Sequence, residues 1–128
     1  MAGGIADAPH LPGPAPIDAY GNGGFRFAGM SHRGSLLCLP DGIWAWPVAD
    51  VTDLTEATLE GVFARGNRLD VFLIGAGRDP WPLSERLLFR FRELSISVDA
   101  MATGTALRTY NVLLAEDRRV GAGLIAVD

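Results

Sequence analysis

A short, almost wholly apolar segment followed by a glycine loop constrains the fold of this chain more than any other feature. The segment Leu69–Ile74 is apolar at all positions but Asp70, which is typical of a strand covered on both faces of a sheet. Gly75-Ala76-Gly77 follows directly, and a helical pattern begins a few residues later. In an open α/β sheet, ligands bind beyond the carboxyl ends of the strands, so this glycine loop is a candidate binding crevice.

Two hairpin patterns precede this strand. Alternating apolar residues flank Gly21–Gly24, and a second pair of β-like segments, Ser35–Leu39 and Ile43–Val48, flanks the turn Pro40-Asp41-Gly42. Turn residues between alternating segments are typical of β-hairpins. We therefore predict two hairpins, running from Ile17 to Ala28 and from Ser35 to Val48.

Helical and extended patterns alternate after Val51. One helix is predicted to end near Gly66, with Asp53 and Glu56 at capping-box spacing and Thr55 as a competing N-cap. A second is predicted over residues 83–94, where Leu83, Leu87, Phe91 and Leu94 form one stripe. A third is predicted from Thr103, as its cap, to about Glu116, with Ala106, Leu107, Tyr110, Leu113 and Leu114 facing inward.

Strand patterns lie between and after these helices. Ile96–Ala100 alternates, and Val120–Val127 is a closing strand in which Gly121 and Gly123 mark a bulge or close packing. Together with Leu69–Ile74 they predict the central sheet of an α/β domain.

The chain is long enough for one domain with its own core, at 128 residues and 48% hydrophobic composition. Residues 1–16 contain Pro9, Pro12, Pro14 and Pro16 and too few apolar side chains to bury, so we predict a flexible proline-rich tail. Residues 17–128 are predicted to form a single α/β domain.

Charge and cysteine content exclude several classes of protein. The net charge of −4 and pI near 5.0 argue against nucleic-acid binding. No segment has the length and hydrophobicity of a membrane span, so no membrane insertion is expected. The single cysteine, Cys38, rules out an internal disulfide and suits a cytoplasmic protein.

The usual motifs for cofactors, metals and catalysis are incomplete. Pro80 stands where a dinucleotide fingerprint needs its third glycine, and one cysteine and two histidines are too few for a zinc site. Gly29–Gly34 misses the nucleophile-elbow pattern around Ser31, and a polar turn is the favoured interpretation. Cys38 alternates with apolar neighbours, as an inert buried thiol does. We expect no cofactor, no metal, no catalytic residues and no enzyme activity.

A group of polar residues is a candidate ligand site at the glycine loop. Arg108 and Asn111 lie three residues apart on the third predicted helix, with Thr109 between them. They form either an ordinary solvated helix face, with Asn111 bonding a nearby loop, or a polar wall of the crevice. In the second case they would join Gly75, Gly77 and Arg78.

Two aromatic residues are candidates for partner binding. Phe89 falls nearly opposite the apolar stripe of the second helix, among charged residues, and Trp81 lies in the proline-flanked loop before that helix. Aromatic side chains are enriched in protein interfaces, but single exposed apolar residues are also common on ordinary surfaces. Both interpretations stay open for Phe89.

Several segments together resemble one protein family. They are Gly75–Gly77, Ile96–Val98, Met101–Gly104, Arg108–Glu116 and Arg118–Ile125, with Ile17–Gly21 and Gly24–Phe25 at the start. The chain resembles, over about residues 17–127, the small domain-of-unknown-function family that includes mitochondrial NADH:ubiquinone oxidoreductase (complex I) assembly factor 3 and uncharacterised bacterial proteins. The stretch Arg108-Thr109-Tyr110-Asn111 carries the most specific part of the resemblance.

The resemblance implies a three-layer α/β fold with a mixed central sheet, helices on both faces and additional N-terminal β-hairpins. It implies no catalytic residues and no cofactor. Many members carry a carboxylate where this chain has Ala102, a cysteine at Leu107 and a glycine at Ser95. The first two differences each remove a polar or reactive candidate and argue further against an enzyme.

Three functions follow as expectations, in this order. The first is a protein-interaction or assembly factor linked to respiratory complex I, whose partners would be respiratory complex subunits and which would reach the inner membrane only peripherally, through them. The second is a binder of a small anionic ligand in the Gly75–Gly77 crevice, and an enzyme is a distant third. A monomer or a weak dimer is expected.

Overall fold

The computed structural model describes residues 8–128, which form two β-sheets and three α-helices. The strands are β1 Ile17–Gly21, β2 Gly24–Phe27, β3 Met30–Arg33, β4 Leu36–Leu39, β5 Gly42–Ala45, β6 Val71–Gly75, β7 Ser97–Met101 and β8 Val120–Leu124. The helices are α1 Glu60–Phe63, α2 Glu85–Glu93 and α3 Thr103–Ala115.

A small antiparallel sheet is built from β1, β2 and β3. Asn22 and Gly23 both have positive φ, 52° and 78°, as a two-residue hairpin turn requires. The first predicted hairpin is confirmed, with a tighter turn than the four glycine-rich residues suggested. The prediction of a polar turn at 29–34 was wrong, because Met30–Arg33 pairs with β2 as a third strand.

The central sheet has five strands in the order β5-β4-β8-β6-β7. It is mixed, since β6 runs parallel to both β7 and β8 whereas β4 runs antiparallel to β5 and β8. β4 and β5 form the second predicted hairpin, and the three strands predicted for the centre are all present.

Both faces of the central sheet are covered. On one face Ala106, Leu107 and Tyr110 of α3 pack with apolar residues of the small sheet. On the other face Val62 and Phe63 of α1 pack with residues of α2 and the sheet. The predicted three-layer α/β fold is therefore confirmed, and its additional N-terminal β structure completes one of the outer layers.

Three aromatic rings form the centre of the core between α2 and the central sheet. Phe91 is fully buried, stacks on Phe72 of β6 at 5.8 Å and meets Phe63 edge-on at 4.9 Å. Ser84 caps α2 by accepting a hydrogen bond from the Leu87 N–H. Ser95 follows the helix at φ 57°, a left-handed conformation that favours glycine.

The region before β6 differs from its prediction. Residues 51–68 form two single 3₁₀ turns around the four-residue α1 instead of one helix ending near Gly66. The capping box joins Asp50 and Asp53, one turn earlier than predicted. The Thr58 hydroxyl donates to the Asp53 carbonyl at 2.7 Å. In a continuous helix this carbonyl would accept a hydrogen bond from a backbone N–H, so the side chain competes with the helix.

The residues just before β1 lie along the domain. The His10 N–H donates to the carbonyl of Ile43 in β5 at 2.8 Å, and Leu11 forms an isolated antiparallel bridge with Ile43. The Tyr110 hydroxyl donates to the Ala15 carbonyl at 3.3 Å. Residues 1–7 of the predicted tail lie outside the described residues.

Candidate functional site

The glycine loop beyond β6 is held closely against the start of α3. Gly75 is the last residue of β6, and a Cβ there would lie 2.9 Å from the Thr103 Cα, so this position has room only for glycine. Gly77 has φ +100°, a conformation that L side chains rarely adopt. The two glycines thus have different functions in the fold, close packing at Gly75 and a turn at Gly77.

Thr103 connects the glycine loop, α3 and the end of β8. Its hydroxyl accepts a hydrogen bond from the Gly77 N–H at 2.9 Å and donates one to the Ile125 carbonyl at 2.8 Å. Its N–H donates to the Gly77 carbonyl at 2.8 Å. Thr103 is fully buried and is the first residue of α3, so the prediction that it caps the helix was wrong. The N-cap is Ala102, which makes no side-chain cap bond.

A surface pocket of about 300 Å³ opens beside this loop. Gly77 and Arg78 line it from the loop, and Arg108 lines it from α3. The other lining residues are Tyr20, Ala102, Gly104, Thr105, Val127 and Asp128. The first turn of α3 carries backbone N–H groups that no side chain caps, and such groups attract negative charge.

Three of the candidate ligand residues lie together in this pocket and three do not line it. Gly77, Arg78 and Arg108 are brought together. Gly75 is covered by Thr103, and the Thr109 hydroxyl donates to the Thr105 carbonyl within α3. The side-chain amide of Asn111 makes two hydrogen bonds to β1.

Asn111 pairs with β1 as a neighbouring strand would. Its Oδ1 accepts a hydrogen bond from the Ile17 N–H at 2.9 Å, and its Nδ2 donates to the Ile17 carbonyl at 2.8 Å. Of the two alternatives for Asn111, bonding a nearby segment is the one observed, and that segment is a strand and not a loop. The small sheet is thereby attached to α3.

Tyr20 also lines the pocket, although no sequence pattern predicted it. It lies on β1, and a Cβ on Gly104 would collide with its hydroxyl group, so the tyrosine ring lies directly over the start of α3. No sequence signal connects positions 20 and 104, since the contact exists only because β1 is bound to α3.

The two candidate partner-binding residues are both exposed. Trp81 has 45% of its surface accessible and Phe89 has 55%. Trp81 lines an apolar groove with Leu83 and Leu88, whereas Phe89 lies on the outer side of α2. The two side chains therefore do not line the same groove.

The remaining chemistry-bearing groups are Cys38, Tyr110 and His32. Cys38 is fully buried, and desolvation raises the pKa of its thiol to about 12, so it is protonated at neutral pH. Desolvation also raises the pKa of Tyr110, which lies beside Cys38. Burial lowers the pKa of His32, although its ring bonds the Ser35 carbonyl. Among residues 8–128 no three His, Cys, Asp or Glu side chains cluster as metal ligands would.

No helix in the described part of the chain is long and apolar enough to cross a membrane.

Comparison with known proteins identifies the family. Residues 17–125 match the family described as "Protein of unknown function (DUF498/DUF598)". A Bartonella henselae structure described as an outer membrane protein is 50% identical, superimposes with a TM-score of 0.89, and covers 93% of this chain and 100% of that one. An uncharacterized protein of Rhodobacter capsulatus is 38% identical over 91% of this chain and 89% of its own length.

A eukaryotic relative has a described role. The NADH dehydrogenase (ubiquinone) 1 alpha subcomplex assembly factor 3 of Drosophila melanogaster is 30% identical over 112 residues, which are 85% of this chain and 57% of that protein. This chain therefore spans little more than half the length of that relative. The match over residues 17–125 confirms the resemblance: the chain belongs to the DUF498/DUF598 family of proteins of unknown function.

Proposed function

We propose that this protein is a non-enzymatic interaction factor that helps to assemble or maintain a larger protein complex. The complex that we propose is respiratory complex I. The observation that carries the proposal is the 30% identity to the Drosophila assembly factor over 85% of this chain. Because one fold hosts different functions, the complex I assignment needs its own test.

The surface of α2 supports an interaction function. Phe89 places an aromatic ring in solvent, opposite the buried Leu87 and Phe91 of the same helix. Charged pairs lie beside it, including Arg86 with Glu56 at 3.2 Å and Arg90 with Glu93 at 3.7 Å. An exposed aromatic anchor within a polar rim is the usual composition of a protein interface.

The proposed interaction function also implies where the protein acts. A cytoplasmic protein with a net charge of −4 would reach a membrane complex by docking on its peripheral subunits and would not enter lipid. The contacts of an assembly factor are transient, so a modest interface on a monomer or weak dimer is sufficient.

Deleting the gene is expected to lower the amount of assembled complex I while its subunit transcripts stay unchanged. Phe89→Asp should reproduce the deletion, because a carboxylate replaces the aromatic anchor without touching the core. Native gel electrophoresis with in-gel activity measures assembly, and circular dichroism checks folding of the variant.

Val112→Asp is the matched control, since Val112 is 57% exposed on α3 and the substitution again introduces a carboxylate at an exposed apolar site. It should leave complex I assembly at the level of the unmodified strain. Normal complex I in the deletion strain would refute the respiratory assignment. An equal defect in both variants would refute the assignment of the interface to Phe89.

A second candidate function is the binding of a small anionic ligand, and the pocket at the start of α3 favours it. Gly77, Arg78 and Arg108 line it, and the first turn of α3 adds N–H groups that no side chain caps. Gly75, Thr109 and Asn111, the other candidate residues, would support this site from behind through the packing and hydrogen bonds described above.

Titration calorimetry with inorganic phosphate tests this second function. Arg108→Ala is expected to weaken phosphate binding about tenfold or more, since one charge-assisted hydrogen bond contributes about 1.5–3 kcal/mol. Arg118→Ala is the control, because Arg118 lies outside the pocket. Equal affinity in the two variants, or no binding at millimolar phosphate, would exclude the anion site.

A further inference from the structure

The two edge strands of the central sheet, β5 and β7, differ in what pairs with their outer sides. At the β5 edge the His10 N–H donates to the Ile43 carbonyl at 2.8 Å, and the Ile43 N–H donates to the Leu11 carbonyl at 3.0 Å. The segment before β1 therefore covers that edge. At the opposite edge β7 pairs with β6 alone, and within residues 8–128 no other segment pairs with it. An open edge strand is a template for a further strand.

The hydrogen-bonding groups at this open edge can be assigned. The Ser97 N–H donates to the Asp70 carbonyl at 2.9 Å, and the Met101 carbonyl accepts from the Ala76 N–H at 2.7 Å, so both residues direct their backbone towards β6. Backbone direction alternates along a strand, so Asp99 also faces β6. The N–H and C=O groups of Val98 and Ala100 consequently face outward.

An apolar groove of about 390 Å³ runs beside these outward groups. Val98 and Ala100 are in register with Phe72 and Ile74, which belong to the core beneath α2, so their side chains lie on the α2 side of the sheet. The groove is completed by residues of the proline loop and α2: Pro80, Trp81, Pro82, Leu83 and Leu88. An added strand would direct alternate side chains into it.

Asp99 determines the charge of the edge. Its side chain is exposed, and none of the ion pairs found among the described residues includes it. Its side chain lies on the face opposite to Val98 and Ala100 because strand side chains alternate. A residue paired with Asp99 on an added strand would lie on the same face and would be favoured if basic.

We propose that the outer edge of β7 binds an extended segment of a partner protein that carries the pattern apolar–basic–apolar. The backbone of that segment pairs with Val98 and Ala100. Its two apolar side chains enter the groove beside Trp81 and Leu88, and its basic side chain pairs with Asp99. This inference deepens the proposed interaction function and rests on it, and it names the chemistry of the partner.

A second copy of this chain fits the edge less well. The antiparallel register that pairs all five residues of β7 with a second β7 places Asp99 opposite Asp99 of the other copy. Like charges directly opposite each other destabilise a strand pair, so the edge favours a segment of the opposite charge.

The test uses two seven-residue peptides, blocked at both ends, with Val-Lys-Val or Val-Glu-Val at the centre and Thr at every other position. In ¹H–¹⁵N NMR titrations of the whole chain, the lysine peptide should bind about tenfold more tightly than the glutamate peptide. Its addition should shift the amide resonances of Val98 and Ala100. Asp99→Lys should reverse the preference, because a lysine at this position attracts the glutamate peptide and repels the lysine peptide.

Ala100→Pro gives a second, backbone-based test. Proline removes an outward N–H and is tolerated on a strand edge that faces solvent, so the fold should persist while binding of the lysine peptide is lost. If this variant does not fold, the Asp99→Lys reversal still decides the proposal.

Three results would overturn the inference. They are no binding of either peptide at millimolar concentration, a preference that Asp99→Lys leaves unchanged, or a dimer in light scattering whose interface broadens the resonances of β7. Complex I assembly in a deletion strain is a separate measurement. The peptide experiment can therefore fail while the proposed function survives, and the reverse also holds.

Discussion

Phe91→Ala is expected to lower the free energy of unfolding by about 3–5 kcal/mol, the usual cost of removing a fully buried phenylalanine ring. Phe91 has no accessible surface and contacts Phe63 and Phe72 through its ring. The alanine leaves a cavity between α1, α2 and the sheet that these rigid aromatic neighbours cannot fill. Chemical denaturation followed by circular dichroism measures the change.

Phe89→Ala is the matched control, two residues away on the same helix. Its ring is 55% exposed, so its loss should change the free energy of unfolding by about 0.5 kcal/mol or less. A similar destabilisation by both variants would show that the core beneath α2 is packed differently from the structure described above. A stable Phe89 variant is also what the complex I experiment requires.

Thr103→Val is expected to cost about 2–4 kcal/mol although valine has nearly the same shape. The substitution removes one hydroxyl group and leaves the buried Ile125 carbonyl and the Gly77 N–H without their partner. Unfolding in urea gives the stability. Hydrogen exchange at the Gly77 amide should accelerate in the variant, because the glycine loop is no longer tied to α3.

Thr109→Val controls for the replacement of threonine by valine within α3. The Thr109 hydroxyl bonds the Thr105 carbonyl on the outer side of the helix, where water can replace it. Its loss should change stability by about 0.5 kcal/mol or less. Equal effects at the two positions would mean that the Thr103 hydroxyl does not connect the loop, the helix and β8.

Local sequence patterns correctly predicted the helices and strands that depend only on the residues within them. The apolar stripe that includes Leu87 and Phe91 is sufficient to define α2, and the run before Gly75 is sufficient to define β6. The same reasoning failed at residues 51–68, where Thr58 and the Asp50–Asp53 capping box break the predicted helix into short turns. Competition between side chains and backbone for the same hydrogen bonds is poorly visible in a hydrophobic pattern.

The candidate sites were predicted only in part for a related reason. Gly77, Arg78 and Arg108 lie together, as the order of strand, loop and helix suggested. Asn111 instead bonds Ile17, and Tyr20 lies over Gly104, because the small sheet packs on α3. Those contacts span more than eighty positions, and no periodicity within a single segment encodes them.

By itself, the sequence determined the class of the fold, the family and the lack of familiar catalytic motifs, since periodicity and motif spacing are local properties. Only the tertiary structure decided which sheet edge is covered and which is open. That difference arises because the segment at His10 and Leu11 folds back onto β5, while no segment of residues 8–128 pairs with the outer side of β7. Strand order is a property of the whole chain, set by which apolar faces can be buried together.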